Sequence, residues 1–260
     1  MGHTGRDTDF QLYRYTPSFA AAVIFIISFF LTTMYHICQL MKSRSWYFIA
    51  FVMGGIFQII GHIARAVAHT NTKSVPIYAI QTILILLAPP LYAASIYMPG
   101  AIEMGDKIAF LMQAAGGGIM ASGTISSMTT GEHITIAGLC VQLVFFTFFS
   151  LTSLLFHIRI RSKPTQQTTQ ARQGHDLHTT RSWESVIWGL YIASVLILIR
   201  SVFRLIEYAQ GNDGYLISHE AFMYGFDSTL MLFAMVAMNV LHPFVILSST
   251  QMGDQNPLEL

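Results

Sequence analysis

The side chains with chemistry to offer lie inside long apolar blocks. Gln58, His62 and Arg65 recur at i, i+4 and i+7 in FVMGGIFQIIGHIARAVA, so they share one helical stripe. Gln81 lies in the next block, Arg200, Arg204 and Glu207 in a later one, and Glu220 and Asp227 in the last. Ionisable groups in hydrocarbon are costly, so they pair with one another or line a polar pathway. The chemistry this set offers is ion pairing and recognition of a polar head group.

Helical rise places these groups at related depths. Arg200 and Asp227 are each expected about 7–8 Å outside the midplane, and Arg204 nearer the level of Glu220. Arg200 and Arg204 share a face at i, i+4, and Glu220 and Asp227 share one at i, i+7. The sixth and seventh spans are therefore expected to join through charge pairs, with Arg65, His62 and Gln81 extending the cluster across the bundle. Two uses are open to it. It can orient helices only, or it can line a polar cavity, open outward, that binds a lipid head group or a cationic amphiphile.

Other chemistries lack their residues. No Gly-rich loop ending in Lys-Ser/Thr is present to cradle a nucleotide phosphate. The last block holds no lysine for a Schiff base, and the receptor motifs Asp-Arg-Tyr and Asn-Pro-x-x-Tyr are missing. His36, His157 and His242 fall near inner ends and His62 in an outer half, so no metal site converges by depth. No cofactor and no enzymatic activity are expected, and an intramembrane hydrolase is the weakest alternative. No basic stripe with interleaved aromatics suggests nucleic acid. Cys38 and Cys140 fall in apolar blocks and are expected as small buried residues.

The elements that must position these groups are membrane spans. The chain has 260 residues, 53% hydrophobic and 10% charged, against about 25% charged in soluble domains. Seven apolar blocks predict an all-α, seven-transmembrane bundle in one membrane domain, residues 1–260. The spans are Pro17–Leu40, Trp46–Ala68, Pro76–Met98, Lys107–Ser126, Ile134–Ile158, Trp183–Glu207 and Ser218–Leu247. The fourth is the least apolar, with Asp106 and Gln113. Met1–Tyr15 lacks the pattern of a secretory leader, so the first span is expected to insert by itself.

Basic residues orient the bundle. Lys42, Arg44, Lys107, Arg159, Arg161, Lys163, Arg172 and Arg181 fall on one side, and Arg6, Arg14 and Lys73 on the other. Eight against three places the N-terminus outside and the C-terminus in the cytosol. The polar stretch Arg159–Arg181 is expected as a mobile cytosolic loop. Pro89-Pro90 predicts a kink in the third span, and His242-Pro243 a similar feature in the seventh. Gly116, Gly117 and Gly118 beside Gln113, and Gly54, Gly55 and Gly61, predict close helix approach.

These pieces resemble, in order, the fungal lipid-translocating exporter family, the RTA-like proteins. The matching segments are YTPS (Tyr15–Ser18), GGIFQIIGHIAR (Gly54–Arg65), IYAIQTILILLAPPLYAASIYM (Ile77–Met98) and DKIAFLMQAAGGG (Asp106–Gly118). They continue with GLCVQLVFF (Gly138–Phe146), LIRSVFRLIEYAQGNDGYL (Leu198–Leu216), HEAFMYGFDSTLM (His219–Met231) and His242-Pro243. The Arg-Ser-x-x-Arg-x-x-Glu and Glu-x-x-x-Tyr-x-x-Asp runs carry the resemblance most strongly. Carried over are Arg65, Gln81, Asp106, Gln113, Arg200, Arg204, Glu207, Glu220 and Asp227. There are departures. Gln58 stands where the family has Glu, His62 where it has Tyr, and Pro99–Gly105 is shorter than the family's third connection.

The resemblance implies seven spans, fungal origin, a plasma-membrane location, and handling of lipids or amphiphiles such as sphingoid bases or sterol-like toxins, with stress response and drug resistance. The implied partners are membrane lipids or amphiphilic small molecules. Without a nucleotide site, transport would run on a gradient or by facilitated flip. The alternative is a seven-helix sensor that signals through the 159–181 loop. Oligomeric state is left open.

Overall fold

The structure is a computed structural model that describes residues 17–43, 48–72, 74–96, 103–122, 124–162, 177–210 and 215–241. Apart from short turns and links these residues are helical, with no strand among them. In chain order they form α1 (Phe19–Ser43), α2 (Ile49–Ala68), α3 (Val75–Ile96), α4 (Glu103–Met120), α5 (Ile125–Ser162) and α6 (Leu177–Ala209). The last region comprises α7 (Tyr215–Ser218), α8 (Glu220–Phe222), a π-helical turn (Met223–Ser228) and α9 (Thr229–Val240).

Among the described residues, six stretches are long and apolar enough to cross a membrane. They are Phe19–Lys42, Ile49–Ala68, Val75–Ser95, Ser126–Leu155, Ile187–Ala209 and Glu220–Val240. α4 is not among them. It is 18 residues long and carries Glu103, Asp106, Lys107 and Gln113. Each of α1 to α5 packs on the next in sequence, and α9 closes the ring by packing on α6 and α1.

The bundle buries charged and polar side chains beside an apolar core and exposes large apolar ones, unlike a soluble domain. Leu31, Met41, Leu111, Val144, Leu155, Trp188 and Val240 are exposed, while Arg65, Arg200, Gln58 and Asp227 are buried. An apolar cluster of Phe29, Phe51, Tyr92, Ile197, Met231 and Met235 fills the centre. Cys38 and Cys140 are exposed, contrary to the expectation of burial. An apolar surface in lipid carries no penalty, so residue type does not separate outside from inside here.

Glycines set the close contacts. A Cβ on Gly54 would meet the Tyr92 ring at 2.7 Å, and one on Gly61 would meet Ile85 Cγ1 at 2.6 Å, so α2 lies tight on α3. Gly116 faces the Gly131 carbonyl of α5 and Gly117 faces Ile83 of α3, but Gly118 faces open space. Three consecutive residues span most of a helical turn, so they cannot all face neighbours.

Two boundaries differ from the hydropathy reading. The fourth helix ends at Met120, not Ser126, and α5 begins at Ile125, not Ile134. Thr124 caps α5 by accepting the Ser127 N–H at 3.2 Å, and the Thr129 and Thr130 hydroxyls donate to the Ser126 carbonyl. Polar residues thus extend the helix by bonding to its own backbone. The connection expected at Arg159–Arg181 is shorter, because α5 runs to Ser162 and α6 starts at Leu177. Its remainder, 163–176, and His242-Pro243 lie outside the described residues.

Candidate functional site

α2 places Phe51, Gly55, Gln58, His62 and Arg65 along one buried stripe. The stripe faces α1 and the last span. Phe25 and Phe29 of α1 lie 5.6 Å and 5.2 Å from the His62 ring, centroid to centroid. The His62 Nδ1 atom is 2.8 Å from the Gln58 carbonyl, which can only accept, so Nδ1 carries the hydrogen. In the neutral ring, Nε2 then accepts from the Ser228 hydroxyl at 2.9 Å.

The charged groups meet around the π-helical turn. Asp227 is wholly buried and takes two arginines of α6, Arg200 on one carboxylate oxygen and Arg204 on the other. Arg204 also pairs with Glu207 at 2.9 Å, one turn on. Arg65 pairs with Glu220 at 3.0 Å and donates through Nε to the Tyr224 hydroxyl at 2.9 Å, with its guanidinium carbon 4.9 Å from that ring. Glu220 also accepts the Ser18 N–H at 2.7 Å, which ties in the start of α1. Three arginines meet three carboxylates, so the group is formally neutral, as burial demands.

Arg200 does one thing more. Its Nη2 donates to the Ile85 carbonyl at 2.8 Å. Ile85 lies four residues before Pro89, which has no N–H to return the helical bond. α3 continues as helix through both prolines, and the Arg200 guanidinium takes the carbonyl that Pro89 leaves unpaired. The double proline therefore connects α3 to the ion-pair group.

The pairing expected between Arg200 and Asp227 is present, and Arg65 and His62 join the same region. Gln81 is buried on α3. The face that Glu220 and Asp227 were expected to share is divided between two partner helices. Arg204 pairs with Asp227 and Glu207, while Glu220 pairs with Arg65. The cause lies between the two carboxylates. The Thr229 N–H and hydroxyl both reach the Tyr224 carbonyl, the hydroxyl at 2.7 Å, which makes the turn π-helical. The wider turn breaks the i, i+7 phase and aims Glu220 and Asp227 at different helices.

Sequence reasoning missed Ser18, Ser228 and the Ile85 carbonyl. Only the Ile85 carbonyl left a signal, a proline four residues on. Tyr224 stood within the Glu-x-x-x-Tyr-x-x-Asp run without a role, and it now bonds Arg65.

A second polar group lies toward the other ends of α1 and α9. His36 Nδ1 is 2.6 Å from Asn239 Oδ1, Gln39 donates to the Asn239 carbonyl at 2.8 Å, and Asn239 donates to the Thr32 carbonyl at 3.0 Å. A third joins α4 to α5, where Gln113 donates to Gln142 at 2.7 Å. Among the described residues, no three His, Cys, Asp or Glu side chains gather as a metal site.

Comparison with known proteins bears on this arrangement. The profile of the family described as RTA1 like protein matches residues 51–100 and 102–250, and the two blocks meet within the short 99–105 connection. Protein RTM1 of Saccharomyces cerevisiae is 32% identical over 91% of this chain and 93% of its own length. Protoporphyrin uptake protein 1 of the same organism is 32% identical over 90% of this chain and 92% of its own. The sphingoid long-chain base transporter RSB1, also of that yeast, is 26% identical over 87% of this chain and 72% of its own. No solved structure matches the chain significantly.

Proposed function

The chain belongs to the RTA1-like family of integral membrane proteins, and on that premise we propose that it moves lipids or other amphiphiles across a bilayer. The names of two relatives support this reading, one as a sphingoid long-chain base transporter and one as a protoporphyrin uptake protein. The substrate class is an amphiphile with a charged or polar head and an apolar body, such as a sphingoid base or a sterol-like compound. The protein acts without a chemical step, as a single membrane domain of the plasma membrane. α4 is its seventh span, since 18 helical residues reach about 27 Å. The N-terminus lies outside and the C-terminus in the cytosol.

The observation that carries the proposal is the graded burial of the ion pairs. Asp227 is fully enclosed, whereas the Glu220 side chain is 20% exposed over an Arg65 that is 1% exposed. An arriving head group reaches the Glu220–Arg65 pair first. An amine can replace Arg65 at Glu220, or an acid can replace Glu220 at Arg65. His62, Arg200, Arg204, Glu207 and Asp227 lie buried behind it, and we assign Gln81 to the same region from its depth on α3.

The test is purified protein in liposomes with a fluorescent sphingoid base and, separately, a fluorescent porphyrin. Movement above protein-free liposomes is expected, with a loss of tenfold or more in Glu220→Gln. Unchanged movement in folded Glu220→Gln and Asp227→Asn proteins would remove the cluster from the proposal. No movement of either probe by the wild type would remove the function.

A further inference from the structure

Between the outer ion-pair group and the inner His36–Asn239 group, α1 and α2 bury polar atoms that have no hydrogen-bond partner among the described residues. Gln58 is 0% exposed, and neither Oε1 nor Nε2 has a hydrogen bond among the described residues. The same holds for Thr33 Oγ1, in a residue 2% exposed, and for Gln39 Oε1. A buried amide without a partner is destabilising, and leucine of similar size would avoid that cost. Buried groups of this kind are normally satisfied by internal water bound to two or more polar atoms.

The groups are in register. A Cβ on Gly55 would fall on Thr33, which sets Thr33 opposite Gly55, one turn from Gln58. One turn outward, Phe29 meets His62, and one turn inward, His36 lies 4.7 Å from Phe51, ring to ring. The order from the outer group inward is therefore His62, Gln58, Thr33, His36 and Gln39. Ser18, bonded to Glu220, and Gln39, bonded to Asn239, lie 21 residues apart on α1, about 32 Å by helical rise. That is the thickness of a hydrocarbon core.

From this geometry we infer that the seam of α1, α2 and the last span holds a file of internal water that carries protons between the two polar groups. The contact of Gly55 with Thr33 is too close for a lipid head group. A metal cation is disfavoured, since no carboxylate occurs on α1 or α2 between the ends of the file. A proton added at one end displaces one from the other along the hydrogen bonds, so no bond is made or broken overall. Imidazoles stand at both ends of the unpartnered stretch. Asp227, Arg65 and Arg204 are the charged groups within electrostatic reach of His62, and Asn239, Phe48 and Phe51 face His36. This deepens the transport reading, on which it rests for its use, because a proton gradient would then supply the driving force.

The experiment reconstitutes the protein in liposomes loaded with a pH-sensitive dye and imposes an acid-outside gradient with valinomycin and potassium. Proton uptake above protein-free liposomes is expected, falling at least fivefold in Gln58→Leu and in Thr33→Val. Both variants should stay folded in detergent, as thermal melts check, because each replaces a buried side chain with an apolar one of similar size. Uptake equal to protein-free liposomes, or unchanged in both folded variants, overturns the inference. Fluorescent sphingoid base is followed in the same vesicles. Amphiphile movement without protein-dependent proton uptake overturns the proton file and leaves the transport reading intact. Proton uptake that needs Gln58, without amphiphile movement, sustains the file and removes the transport reading.

Discussion

The bond from Arg200 to the Ile85 carbonyl can be tested by giving that carbonyl another partner. Pro89→Ala restores a backbone N–H four residues after Ile85, and that N–H can close the helical bond that proline forbids. In the wild type, Arg200→Met removes the 2.8 Å bond and leaves a buried carbonyl unpaired, besides depriving Asp227 of one of its two arginines. The unpaired carbonyl accounts for about 1–3 kcal/mol of that loss. In the Pro89→Ala background the carbonyl stays satisfied, and only the ion-pair part of the loss remains. Arg200→Met should therefore cost about 1–3 kcal/mol less in the Pro89→Ala background than in the wild type, a coupling well above the additivity limit for independent sites. Equilibrium unfolding of the four proteins in mixed detergent micelles measures it. Equal costs of Arg200→Met in the two backgrounds would refute the link between the prolines and the arginine.

Two further predictions concern packing. Gly61→Val should destabilise by about 1–3 kcal/mol, because its Cβ would meet Ile85 Cγ1 at 2.6 Å, while Gly118→Ala should gain about 0.4–1 kcal/mol, since nothing lies within 4 Å; thermal melts in detergent compare them. Gln113→Leu should cost about 1–3 kcal/mol by stranding Gln142, and the double variant with Gln142→Leu should lie close to the wild type, as a double-mutant cycle in the same micelles would measure.

Much of this site was legible because the membrane makes charge conspicuous. Arg65, Arg200, Arg204, Glu207, Glu220 and Asp227 stand out in an apolar chain, and helical rise alone set Arg200 level with Asp227. The polar side chains of Thr33, Gln39, Gln58 and Asn239 gave no such signal. Uncharged amides and hydroxyls are common in spans, and whether they find a partner depends on the neighbouring helix. The start of α5 was also hidden, since hydropathy does not register a Thr124 cap.

The sequence by itself determined that the chain is a bundle of apolar helices, which of them carry charge, and that those charges must meet. Those facts follow from the cost of an ionised group in hydrocarbon and from the fixed rise of a helix. Tertiary structure decided the pairing. The π-helical turn Met223–Ser228 sent Glu220 to Arg65 and left Asp227 to Arg200 and Arg204. Packing of α6 against α3 brought Arg200 to the carbonyl that Pro89 had freed. Each of these depends on the azimuth of one helix against another, and no periodicity within a single helix contains that angle.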